Sequence, residues 1–154
     1  MERGMKHMKI DTKFLGQVVV APEQLYSFEE GIPGFPEEKQ FALIPFGKDT
    51  PFMIFQSTKV PQISFVLAFP YTFNAYYAFD LSKQDVEALE IEKQEDILTY
   101  AIVTLKDTIP KSTINLLAPI VINTKTNKGR QIVLNENNQE LLHYPLHPVK
   151  EGVK

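Results

Sequence analysis

Turn formers constrain this chain more than any other feature. Eleven Pro and seven Gly are spread along it rather than gathered in one linker. Proline removes a backbone donor and breaks helices, and glycine interrupts regular structure, so most intervals between them are too short for a stable helix. What lies in those intervals is apolar and rich in Phe, Val, Ile and Tyr, the composition of strands. Residues 9–14, 17–20, 41–46, 52–57, 63–69, 76–81, 97–105, 117–123 and 130–134 each read as a strand bounded by turn residues. Strands in that number predict an all-β fold, a sandwich or a closed barrel, with one or two short helices.

The first helix is predicted over residues 82–91, where Ser82 stands at the cap, Asp85 takes the capping-box position, and Val86 and Leu89 form a short apolar stripe. The second is a turn or two over residues 22–27, with Pro22 suited to a first helical position. A length of 154 residues with 44% hydrophobic side chains suits one domain, read here as residues 8–147. Residues 1–7 and 148–154 are polar and read as a flexible extension and a flexible tail.

Several chemistries are excluded by residue type. The chain has no Cys, so it offers no disulfide framework, thiolate metal site or cysteine nucleophile. His143 and His147 have the four-residue spacing of helical zinc ligands, but Pro145 between them breaks any such helix, and His7 is a remote third. No G-x-S-x-G elbow is present, and Gly47-Lys-Asp-Thr50 lacks the hydroxyl and the first Gly of a phosphate loop. Gly31-Ile-Pro-Gly34 has the outline of a nucleotide clamp, yet Glu29, Glu30, Glu37 and Glu38 flank it and would repel phosphate. The reading is a protein that is not an enzyme and needs no cofactor. The longest apolar runs, residues 65–69 and 118–122, fall far below the ~18–20 residues of a membrane span. Without an apolar signal region behind the first residues, a cytoplasmic location is expected. Only two of the sixteen basic residues are Arg, and the formal net charge is −3, which argues against direct nucleic-acid binding and for a basic partner.

Two segments are candidates for that contact. Asp85, Glu87, Glu90, Glu92, Glu95 and Asp96 form the densest charge run, relieved only by Lys83 and Lys93. On a helix Glu87 and Glu90 share a face, and with Glu92 and Glu95 they are the candidate carboxylates for steering a basic protein. Aromatic side chains concentrate in residues 65–79, where Tyr77 and Phe79 would share one face of a strand. Tyr71 and Phe73 fall in a stretch not clearly strand and are the candidate anchors of an apolar partner groove.

Three blocks carry a family resemblance: Phe28-Glu-Glu-Gly-Ile-Pro-Gly-Phe35; Pro51-Phe-Met-Ile-Phe-Gln-Ser57 with Phe65-Val-Leu-Ala-Phe-Pro70; and Thr113-Ile-Asn-Leu-Leu-Ala-Pro-Ile-Val-Ile-Asn123 with Gly129-Arg-Gln-Ile-Val-Leu134. In this order, over residues 8 to about 142, the chain resembles the FliW family of bacterial flagellar assembly factors. Beside the match, the blocks have conformational roles. Gly31 and Gly34 around Pro33 make tight turns, Phe35 returns the chain to the core, and Asn115 and Asn123, on either side of Pro119, can bond backbone groups at strand ends. The resemblance implies a small, flattened β-barrel-like domain. It also implies a chaperone-like partner of flagellin that binds CsrA, the translational repressor of the flagellin message, and so relieves repression. The residues taken without the resemblance leave a second class open, a β-barrel small-ligand binder or enzyme with an unrecognised pocket.

Overall fold

A computed structural model gives the structure of residues 7–135 and 139–146. The expected extension and tail lie outside the described residues except for His7, which is exposed, and so does His147.

Several of the barrel strands are covered on both faces. In β4 (Gln40–Pro45) the four central residues, Phe41 to Ile44, are all buried. Alternation still operates: Phe41 and Leu43 point to one hydrophobic cluster, Ala42 and Ile44 to another. A strand buried on both sides needs no polar alternate positions, which is why it appears as a continuous apolar run. β5 (Phe52–Ser57), β6 (Ser64–Ala68) and β7 (Ile97–Thr104) follow by antiparallel pairing.

Closure uses three short strands. β3 (Leu25–Ser27) pairs with β4, β9 (Ile120–Asn123) with the first half of β7, and β10 (Lys128–Gln131) with β9. A single parallel pair, Ser27 with Lys128, then joins β10 to β3 and completes a ring of seven strands. The second half of β7 pairs instead with β8 (Thr113–Ile114), which carries β11 (Tyr144–Pro145) on its far edge.

Aromatic rings fill the interior. Phe41 and Phe55 stack with centroids 4.4 Å apart, and Phe28 meets both edge-on at 5.8 and 5.1 Å. Tyr26, Leu67, Tyr100, Ile120 and Ile122 complete this lining. Gly129 makes room for it, since a Cβ there would collide with the Phe28 ring.

Outside the barrel, the hairpin of β1 (Met8–Thr12) and β2 (Gly16–Val20) lays Ile10 and Val20 over Ile44, Ile54, Val66 and Ala68. The buried Gln56 staples the hairpin down: its Oε1 accepts from the Lys13 amide at 3.0 Å, and its Nε2 donates to the Ser57 and Pro61 carbonyls at 3.0 and 3.1 Å. A third cluster packs Leu89, just after α1 (Lys83–Ala88), on Val121 and Ile132. A second one-turn helix, α2 (Gln139–Leu142), precedes β11.

The all-β reading holds, with corrections of detail. Residues 76–81 are not a strand: the Asn74 carbonyl accepts from the Tyr77 amide at 3.1 Å, closing a turn that takes the chain off the sheet. Residues 22–27 hold one 3-10 turn, Pro22–Gln24, and then β3, because Tyr26 faces the barrel interior. The helix expected over residues 82–91 keeps its Ser82 cap but spans only Lys83–Ala88, since Glu90 has φ of 56°.

Candidate partner-binding surface

The acidic segment is fixed by its backbone and leaves its carboxylates outside. Ser82 Oγ accepts from the Asp85 amide at 3.0 Å and starts α1. At the other end the buried Asn123 Nδ2 donates to the carbonyls of Leu89 and Glu90 at 2.8 and 3.2 Å, holding the left-handed turn where the helix stops. Further on, the Thr124 hydroxyl and amide both donate to the Asp96 carbonyl, at 2.9 and 2.8 Å. The candidate carboxylates of Glu87, Glu90, Glu92 and Glu95 are thus all exposed on a rigid frame. Glu87 and Glu90 do not share a helix face, because Glu90 lies beyond the helix. Glu90 is also partly neutralised: its carboxylate holds the Lys128 ammonium at 2.9 Å and raises that ammonium's pKa above its ordinary value.

The Gly-Ile-Pro-Gly block faces the end of α1 across a cleft. Gly31 and Gly34 have φ of 65° and 92°, and a Cβ on Gly31 would stand 2.5 Å from the Phe35 carbonyl oxygen, so only glycine fits there. The Phe35 amide donates back to the Ile32 carbonyl at 2.6 Å, tying off the loop around the exposed Pro33. Phe28 and Ile32 anchor it in the barrel, whereas Phe35 is 39% exposed and rests on the Phe65 ring. The expected plug is therefore Ile32 and Phe28, not Phe35, because the tight turn at residues 32–35 returns Ile32 to the interior and leaves Phe35 at the rim.

Between this loop, Ala88 and Leu89, and β10 with Val133 lies a cleft of about 590 Å³. Arg130 bridges it, donating to Glu30 on the loop at 2.7 Å and to Asp85 on α1 at 3.0 Å. The Glu30 carboxylate raises the Arg130 pKa further above its already high value, so the bridge stays charged. Residue types alone did not disclose this cleft. The one signal available was acidic residues beside a glycine turn, read above only as a reason to reject phosphate.

The aromatic pair divides. Tyr71 is 44% exposed in the 3-10 turn Pro70–Thr72, its ring 5.9 Å from that of Tyr77. Phe73 is only 5% exposed and belongs to the cluster under the hairpin, so it is a core residue and not a surface anchor. The turn that begins at Pro70 points it inward. Of the remaining motif residues, Asn115 Oδ1 accepts from the Leu117 amide at 2.9 Å, and the carbonyl of buried Pro119 accepts from Ile132 at 2.8 Å. His143 is exposed in the turn between α2 and β11. Among the described residues no group of three His, Cys, Asp or Glu is placed to hold a metal, and no helix is long and apolar enough to cross a membrane.

The family described as FliW protein matches residues 9–146. The flagellar assembly factor FliW of Bacillus subtilis (strain 168) is 40% identical over 136 residues, covering 88% of this chain and 95% of that protein. Its counterpart in Geobacillus thermodenitrificans (strain NG80-2) is 42% identical over 136 residues, covering 88% and 94%. A crystal structure of the flagellar assembly factor FliW superposes with a TM-score of 0.80 at 38% identity, covering 95% of this chain and 100% of that one. With β2 through β11, the glycine loop and the capped acidic segment all inside the matched span, this chain belongs to the FliW family.

Proposed function

We propose that this protein serves bacterial flagellum assembly as a cytoplasmic, non-enzymatic binding protein with two partners, flagellin and CsrA. It holds flagellin as a chaperone-like partner and binds CsrA, relieving repression of flagellin synthesis. The observation that carries this reading is the family match over residues 9–146. The acidic segment supports it, because a basic RNA-binding repressor is complementary to exposed carboxylates on a rigid frame. Glu87, Glu92 and Glu95 are the leading contacts, and Glu90 contributes less because Lys128 already engages it. On the flagellin side, the exposed Tyr71 remains a candidate and Phe73 does not.

Co-elution of the purified protein with CsrA and with flagellin tests the two activities separately. Flagellin titrated into a preformed complex with CsrA then tests the switch: displacement must be reciprocal, each partner weakening the other by the same factor. A ternary complex with undiminished affinity for both would remove the switch and leave two independent binding activities. Lys at positions 87, 90, 92 and 95 should slow association with CsrA and flatten its salt dependence. An unchanged rate at two ionic strengths would show that these carboxylates do not contact CsrA.

A further inference from the structure

One edge of β10 is paired with β3 only at Lys128, and beyond that residue it forms a wall of the cleft. Arg130 pairs with Val121 of β9, and the amides of Ile132 and Leu134 donate to the Pro119 and Leu117 carbonyls, both at 2.8 Å. Even-numbered residues therefore turn their backbone groups toward β9. Antiparallel alternation directs those of Gly129, Gln131 and Val133 to the opposite side. β3 meets that side only at its start, where the Ser27 amide donates to the Asn127 carbonyl at 2.8 Å. Beyond Ser27 the chain departs into the glycine loop, and the gap it leaves is the cleft. Among the described residues, nothing hydrogen-bonds the backbone amides or carbonyls of Gln131 and Val133.

We propose that this cleft receives an extended, basic peptide segment of a partner protein, added as a short strand on the free edge of β10. An unpaired edge is a template for such addition, with main-chain bonds giving affinity and flanking pockets giving selectivity. The cleft volume lies in the range of specific ligand sites. Val133 offers an exposed apolar edge, which suits an apolar side chain of an added strand. Charge selects the other side chains. Glu29 and Glu30 line the cleft with two cations, Lys128 and Arg130, and because Glu90 and Asp85 engage those cations from outside the lining, carboxylates are in excess. Lys39 reaches the Glu29 backbone carbonyl from outside the lining and leaves the balance acidic. This inference is independent of which partner supplies the segment.

The test uses the full-length protein and a blocked Lys-Val-Lys-Val-Lys peptide. Amide NMR titration should move the Gln131 and Val133 signals, and saturation should slow hydrogen exchange at those two amides by about tenfold or more. A Glu-Val-Glu-Val-Glu peptide, and a copy of the basic peptide N-methylated at alternate residues, should each bind about fivefold or more weakly, having lost charge attraction or a main-chain bond respectively. Val133→Pro removes a cleft-facing donor without touching the β9 ladder, and proline is tolerated at such an edge position, so it should fold and lose a similar factor in affinity. Should that variant unfold, the exchange and N-methyl measurements on the native sequence decide. The proposal is overturned by the absence of shifts at about 1 mM peptide, by equal binding of acidic and basic peptides, or by full affinity of the N-methylated peptide, which would make the cleft a side-chain pocket only.

Discussion

Residues 70–79 and 82–96 are neighbours in the chain, and each concentrates one kind of side chain suited to a partner, yet the fold uses them in opposite ways. In the aromatic stretch Phe73 and Tyr77 are 5% and 7% exposed, and the Tyr77 hydroxyl donates to the Leu116 carbonyl at 2.7 Å. In the acidic stretch the carboxylates of Glu87, Glu90, Glu92 and Glu95 stay in solvent while Asn123 and Thr124 grip the backbone beneath them. Phe73 and Tyr77 find apolar surface without sitting in regular structure, because burying a large ring stabilises the chain by several times a typical exposed contact. A carboxylate gains nothing comparable inside. Irregular backbone therefore does not by itself put a ring in solvent, although Tyr71 and Tyr76 in the same stretch are 44% and 94% exposed.

The comparison can be broken most directly at Phe73. Phe73→Ala should cost about 3–5 kcal/mol in a denaturant melt, the usual range for emptying a buried aromatic site. A loss below about 1 kcal/mol would return Phe73 to the surface candidates. Tyr77→Phe keeps the ring and strips the hydroxyl, leaving the Leu116 carbonyl short of a donor, so a loss of about 1–3 kcal/mol is expected in the same melt. On the acidic side the largest single effect should come from Ser82→Ala, which removes the α1 cap and costs about 1 kcal/mol. Smallest of all, Lys at positions 87, 90, 92 and 95 together should leave Tm within about 2 °C, because exposed charges contribute little to folding. A larger drop by calorimetry would mean that these carboxylates help to hold the fold.

Much of the barrel was legible because its strands are apolar over lengths that burial on two faces dictates. β4, β5, β6 and β7 each fall within a predicted segment or overlap it to within a residue or two. The misses are elements that owe their existence to remote partners. β8 and β11 are two residues each and form strand only against β7 and against one another. β3 follows a proline that reads as a helix start, and Tyr26 is drawn into the lining by rings from β4 and β7. The acidic segment and the Ser82 cap were visible, whereas the Lys128–Glu90 and Arg130–Glu30 pairs join residues 38 and 100 positions apart and no local pattern announces them. The cleft escaped for the same reason, since its walls come from three separated stretches of chain.

The lone parallel pair that completes the ring also orders the assembly of the molecule in time. Asn127 reinforces it by donating to the Leu25 carbonyl at 2.7 Å, a contact spanning 102 residues. Hairpins β4 to β6 form from near neighbours, but this seam must close a loop of about 100 residues, and closure costs more entropy and is slower the further apart the partners lie in sequence. On the ribosome, β3 therefore emerges and pairs with β4 while its other edge stays bare until β10 has been made. For that interval the barrel is an open curved sheet, and the same few bonds that finish it during synthesis are the first that thermal fluctuation will undo.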